Sequence, residues 1–180
     1  MIKCAIIVLF SCLLYAEVQA KCRVMEGYYW RDFTGEVPED ALPGGTDTNG
    51  KPIFIGQVLQ LGFLIPVKIY LDNPTAYYEF ERKEFPVTEN IKILCTQYPE
   101  HFEWIRTSNE EIKFLTEKHL VIGGYQPRWT TFIGRVRHGS ETLVGKLLFT
   151  ERPNDSGLHV TSNGNGIQYN SYEILVFNPY

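Results

Sequence analysis

The chain has 180 residues, of which 44% are hydrophobic and 14% aromatic, and its formal net charge is −4. A mildly acidic chain with no basic run argues against nucleic acid as a partner. It also offers no polybasic patch to an anionic lipid surface.

The first 20 residues read as a secretory signal rather than as part of the fold. Lys3 supplies a short basic start, Cys4 to Ala16 is almost unbroken apolar sequence, and Val18-Gln19-Ala20 offers small residues around a cleavage point. The run is too short for a membrane span of about 20 apolar residues, and no second run of that length follows, so no membrane insertion is expected. Cleavage removes Lys3 and Glu17 and leaves the net charge unchanged. About 160 residues remain, enough for one sizeable core, and a secreted, extracellular protein is expected.

Cys4 and Cys12 leave with the signal, while Cys22 and Cys95 remain. In an oxidising compartment a lone pair is expected to bridge; two free thiols, or pairing between chains, are the alternatives. Closing a loop of about 74 residues stabilises by roughly 4 kcal/mol in the chain-entropy model, less any strain.

The rest of the chain reads as strands separated by turn residues. Ile53 to Val58 and Thr131 to Val136 are strand cores, and Tyr77 to Glu81 and Leu158 to Ser162 are further strands. Asp47-Thr48-Asn49-Gly50 and Asn163-Gly164-Asn165-Gly166 carry the Asn-Gly chemistry of tight turns. Ser108 and Glu111 have capping-box spacing ahead of Ile112 and Leu115, which fits either a short inserted helix or a short strand. Asn154-Asp155-Ser156 is a glycosylation sequon in a polar turn, whereas Pro74 blocks Asn73-Pro74-Thr75.

One pattern occurs twice. Trp30, Gly44-Gly45, Phe54-Ile55-Gly56, Lys68 and Ile93-Leu94 are followed by Trp104, Gly123-Gly124, Phe132-Ile133-Gly134, Lys146 and Ile174-Leu175. The offset stays between about 74 and 81 residues, which marks a tandem duplication. The first copy is placed at 21–95 and the second at 96–180. Only Thr96 to His101 separates them, so two halves sharing one core are expected rather than two independent domains. The glycine pairs read as backbone turns, because no strand-to-helix phosphate loop follows either one. Trp30 and Trp104 read as core anchors at equivalent places.

These landmarks resemble the DM-nine repeat family of invertebrate proteins. The match is carried by Val37-Pro38-Glu39-Asp40-Ala41-Leu42-Pro43-Gly44-Gly45-Thr46-Asp47, by Phe54-Ile55-Gly56-Gln57, by Pro66-Val67-Lys68, and by Tyr172-Glu173-Ile174-Leu175. The resemblance spans Trp30 to Val176. It implies an all-β fold in which two tandem repeats intertwine as a pseudo-twofold, antiparallel, β-sandwich-like single globule. It also implies binding of glycans, of mannose type, by a protein that is often a homodimer, in an innate immune or mucosal setting.

The family's acidic residue after the glycine turn and its lysine carry over as Asp47 and Lys68. A carboxylate accepts from two adjacent sugar hydroxyls and an ammonium donates to hydroxyl oxygens. Tyr70 and Tyr77 are candidate aromatic faces for the sugar ring. Leu64 stands where a second acidic residue belongs, and Val67 replaces a glycine. In the second copy Lys146 survives, but the acidic position falls at Tyr125 or Gln126, with Glu141 a distant substitute. Without the resemblance, Asp47 reads as a residue stabilising its own turn and Lys68 as a solvated strand lysine.

No catalytic site, metal site or cofactor is expected. His101, His119, His138 and His159 are scattered, without ligand spacing to one another or to cysteine, and no Gly-x-Ser-x-Gly elbow is present. A non-enzymatic glycan-recognition protein is the leading expectation. A secreted structural or protein-interaction module that has lost sugar binding is the alternative.

Overall fold

The computed structural model describes residues 27–152 and 155–179; the signal segment, Cys22 and Asn154 lie outside the described residues. The chain runs through β1 (Tyr29–Asp32), β2 (Pro43–Thr46), β3 (Pro52–Gln60), β4 (Phe63–Tyr70), β5 (Ala76–Phe80), β6 (Lys83–Val87) and β7 (Ile91–Cys95). It repeats that series as β8 (Phe102–Ser108), a short β9 (His119–Leu120), β10 (Ile122–Gln126), β11 (Trp129–His138), β12 (Glu141–Leu148), β13 (Gly157–Ser162), β14 (Asn165–Tyr169) and β15 (Ser171–Phe177). The ambiguous segment after Ser108 resolves as one 3-10 turn, Ile112–Phe114. The Ser108 hydroxyl donates to Glu111 Oε2 at 3.1 Å and accepts from the Glu111 N–H at 3.3 Å, so the capping-box spacing stabilises a turn rather than a helix.

Tight turns join several of the hairpins. Leu61 and Gly62, between β3 and β4, both have positive φ (54° and 78°). So do Asn163 and Gly164, between β13 and β14 (51° and 81°), the geometry that matches the right-handed twist of the strands they join. Glu81 and Arg82, between β5 and β6, adopt the same left-handed conformation with no glycine. That turn is held by the Arg82 N–H, which donates to Glu79 Oε1 at 2.6 Å.

The pairings of the first half recur in the second. β1 lies on β7 as β8 lies on β15, and Trp30 faces Leu94 as Trp104 faces Leu175. In the β3–β4 hairpin Ile55 faces Lys68, and in the β11–β12 hairpin Ile133 faces Lys146. The halves also exchange strands. β2 adds to β12 at Thr46–Thr142, β10 adds to β4 at Tyr125–Leu64, and β6 meets β14 at Lys83–Asn165. Hydrogen bonding therefore runs β3–β2–β12–β13–β14–β6–β5–β4 and returns to β3, a closed ring of eight strands with the others attached outside it. The all-β, intertwined expectation stands. In place of the two facing sheets of a sandwich, the strands form one continuous sheet that closes on itself, a solution that removes edges from the ring.

The glycine pairs explain how the halves come so close. They are not turns, as expected from sequence; they lie in β2 and β10, each at a register shift in its pairing. A Cβ on Gly45 would stand 1.9 Å from the Thr142 carbonyl oxygen, and one on Gly124 would stand 2.0 Å from that of Leu64. Only a residue without a side chain lets these strands approach the other half's backbone.

The core is shared. One cluster joins Ile53, Ile55 and Leu94 of the first half to Ile133, Leu147, Ile174 and Leu175 of the second, all nearly inaccessible to solvent. Each such side chain contributes about 1.5–3 kcal/mol of burial free energy, so neither half retains its core when the two are separated. Trp30 and Trp104 pack partly buried against this cluster. A second cluster, with Val58, Ile65, Ile69 and Ile93, lies within the first half.

Candidate functional site

Lys68 is 3% exposed, not the solvated lysine its strand position suggests. Because it pairs with Ile55 on one side and Tyr77 on the other, it shares their face of the sheet. Its ammonium forms an ion pair with Glu84 Oε1 at 3.0 Å and donates to the carbonyl of Thr161, in the other half, at 2.6 Å. It also lies 5.3 Å from the Tyr70 ring centroid and 5.7 Å from that of Tyr77, within cation–π range. Glu84 accepts from the Gly164 N–H at 2.8 Å. Burial alone would raise the Glu84 carboxyl, but hydrogen bonds from Thr161, Gly164 and Lys68 outweigh it and hold the group below its ordinary value.

Lys146 is the register counterpart of Lys68 and is 4% exposed. It pairs with Glu79 Oε2 at 2.9 Å and donates to the Glu79 carbonyl at 3.3 Å, again across to the other half. His159 takes the place that Tyr77 holds beside Lys68, with its Nδ1 3.7 Å from Glu79. Burial, aided by the Lys146 charge and opposed by Glu79, lowers the His159 imidazole below its ordinary value, so it is neutral at pH 7. Each lysine thus has a carboxylate partner, Glu84 half-buried and Glu79 buried, which sequence reasoning missed. The available signal was a glutamate inside an otherwise apolar strand, Ala76-Tyr77-Tyr78-Glu79-Phe80.

Asp47 does not pair with Lys68. It closes its own turn, with Oδ1 accepting from the Asn49 and Lys51 N–H groups, each at 2.8 Å. Its charge nevertheless reaches the same region. The Tyr70 hydroxyl is raised well above its ordinary value by burial first, then by Glu141, Glu84, Tyr77 and Asp47. Tyr70 and Tyr77 meet edge to face at 6.0 Å. The half-buried Tyr70 is therefore within electrostatic reach of three carboxylates, two from the first half and Glu141 from the second. Glu141, distant in sequence, arrives because Thr142 pairs with Thr46, next to Asp47. By register, the second half has Gln126 for Asp47, Leu148 for Tyr70 and His159 for Tyr77. Among the described residues it assembles no comparable group of aromatics and acids.

Cys95 is buried. Burial, followed by the neighbouring Asp40 carboxylate, pushes its thiol up to about 11. The Thr96 hydroxyl donates to the Gly27 carbonyl at 2.6 Å, so the described chain begins beside the residue that follows Cys95. The partner expected for Cys95, Cys22, lies outside the described residues, as does the sequon residue Asn154.

The DM9 repeat model matches this sequence twice, at residues 14–87 and 62–154. The chain belongs to the DM9 repeat family. The two DM9 matches overlap across β4, β5 and β6, the strands that carry Lys68, Tyr77, Glu79 and Glu84. Among solved structures, the chain is similar in fold to the crystal structure of the nematode sperm cell motility protein MFP2B. The TM-score is 0.55 at 10% identity, over 84% of this chain and 46% of that one. This DM9 chain therefore spans about half the length of MFP2B, and the likeness is one of fold. No curated protein matches the sequence.

Proposed function

We propose that this protein is a secreted, non-enzymatic glycan-recognition protein whose binding site is the Tyr70 region of the first repeat. The observation that carries the reading is the gathering of Asp47, Glu84 and Glu141 around the Tyr70–Tyr77 aromatic pair, with Lys68 behind them. Carboxylates accept from sugar hydroxyls, and charged acceptors give the stronger hydrogen bonds needed to compete with water. The tyrosine rings supply apolar contact for a sugar ring. Lys68, being buried, acts by fixing Glu84 and the tyrosines rather than by donating freely to ligand. The recurrent pairing supports a pseudo-twofold relation between the halves, with binding retained in only one of them. A neutral hexose of mannose type is the ligand class this acidic, aromatic surface suits.

A glycan array of the mature protein, followed by calorimetry with the best ligand, tests the reading. Asp47→Asn keeps a side-chain oxygen to close the turn but removes the charge. The lost charged hydrogen bonds are each worth about 1.5–3 kcal/mol, so affinity falls at least about tenfold. Absence of binding to any neutral saccharide overturns the proposal. The competing reading, an interaction module, is favoured by one observation: both lysine ammonium groups are already satisfied internally. It predicts an empty glycan array and unchanged solution behaviour of Asp47→Asn.

A further inference from the structure

Away from Tyr70, the second half carries a row of guanidinium groups with no counterpart in the first. Arg106 on β8 faces Glu173 on β15, and Glu173 faces Arg135 on β11. These three side chains stand in line on one face of the sheet. Arg137, two residues beyond Arg135, projects from the same face. Three cations and one carboxylate thus concentrate positive charge on a chain whose net charge is −4.

Arg135 is locked in place. Its Nε donates to Glu173 at 2.7 Å, its Nη1 to the Gly44 carbonyl at 3.4 Å, and its guanidinium lies 4.3 Å from the Trp104 ring centroid. Arg106 and Arg137 are exposed, and among the described residues neither has a carboxylate within ion-pair distance. All three arginines line an open cavity of about 440 Å³. Arg135 and Glu173 also border an adjoining cavity of about 290 Å³ that reaches Thr142 at the contact between the halves.

The fold does not require this charge. At the same register positions the first half has Asp32 for Arg106, Lys92 for Glu173, Gln57 for Arg135 and a leucine, Leu59, for Arg137. There, Asp32 and Lys92 form an ordinary surface ion pair. Three guanidinium groups share one face with a single carboxylate, Glu173, between them; Arg135 takes that carboxylate, which leaves the positive charges of Arg106 and Arg137 without a carboxylate of their own. Arg137 gives only its Nε–H, to the Gly139 carbonyl at 2.9 Å, and keeps its terminal N–H groups. One rigid, stacked guanidinium flanked by two without a carboxylate partner is suited to bidentate capture of an oxyanion.

We propose that this groove is a second binding site, selective for saccharides carrying a sulfate or carboxylate group. The oxyanion sits between Arg106 and Arg137, while Glu173 and the Thr142 hydroxyl meet sugar hydroxyls along the groove. The choice of a saccharide as the carrier of the oxyanion rests on the glycan reading above; the anion preference rests on the arginines alone.

Calorimetry of the intact mature chain tests it, using a sulfated disaccharide, a uronate-containing disaccharide, their neutral parent and inorganic sulfate. At least one acidic sugar is expected to bind more tightly than the neutral parent and than inorganic sulfate, and to weaken as salt rises. Arg106→Gln/Arg137→Gln, two exposed changes, is expected to lower that affinity at least tenfold with an unchanged melting temperature. Asp47→Asn is expected to leave it intact. No binding of either acidic sugar, undiminished binding by the double variant, or inorganic sulfate binding as tightly as the sugars overturns the proposal. Failure of neutral sugars at the Tyr70 region, with acidic sugars still bound here, overturns the first reading and leaves this one standing.

Discussion

The Lys146–Glu79 pair offers the sharpest test of how the halves are joined. Both side chains are 5% exposed, and their nitrogen and oxygen are 2.9 Å apart. Lys146→Met preserves shape and apolar stem but leaves the Glu79 carboxylate buried without its cation. Removing one partner of a buried pair costs about 3–5 kcal/mol, far more than the roughly 0–1 kcal/mol of a surface pair. The lower end is expected, because Glu79 keeps the Arg82 N–H at 2.6 Å and has His159 nearby. For a chain of this size about 3 kcal/mol lowers Tm by roughly 6–12 °C. Glu79→Gln, which retains an acceptor for Arg82 but strands the lysine charge, is expected to destabilise similarly. The double variant is then less destabilised than the sum of the singles, with a coupling energy within the ~0.5–3 kcal/mol range of contacting pairs. Thermal and denaturant unfolding of the four proteins measures this cycle. A Tm for Lys146→Met within about 2 °C of the parent refutes the buried-pair reasoning and returns Lys146 to the surface.

Gly45→Ala places a Cβ 1.9 Å from the Thr142 backbone oxygen and is expected to cost at least the ~1–3 kcal/mol of an overpacked site. Gly50→Ala, with open space around it and a φ of 78°, costs only the roughly 1–2 kcal/mol of a left-handed alanine; equal losses in chemical denaturation would count against the close approach. Stability should fall with acid in two stages. His159 has a folded value depressed below 6.5, so the unfolded chain takes up its proton first and stability declines as pH drops below about 6.5. Glu84 is depressed below 4.5, so its contribution is intact above that value and is lost as pH falls through the lower folded value. Melting curves across that range check both, and a flat profile from pH 7 to 5 contradicts the His159 assignment. Intact-mass measurement with and without reductant is expected to show the Cys22–Cys95 bridge, and two free thiols on secreted protein would sink it. Glycosidase treatment of protein secreted from a eukaryotic host should remove one N-glycan, at Asn154; unchanged gel mobility counts against that site.

The duplication, the strand-rich character and the family were all legible in the sequence, because each rests on local chemistry. Asn163-Gly164 makes its turn and Ile53 to Val58 its strand through propensities that act within a few residues. Equivalent positions such as Ile55 and Ile133, each facing a lysine, follow from the repeat alone. The role of Asp47 as a turn-closing residue was likewise one of the two meanings its neighbours allowed. Which residues meet across the molecule was decided only by the tertiary structure. Strand exchange carries Glu79 to Lys146, Thr161 to Lys68 and Glu141 to the Tyr70 region, over separations that no local pattern encodes. The glycine pairs show the limit most plainly: the spacing marked them as special, yet their purpose, a backbone approach that a single Cβ would block, exists only where the two halves cross. Closing one sheet on itself turns two strand lysines, solvated by any sequence rule, into buried partners of carboxylates from strands they do not pair with.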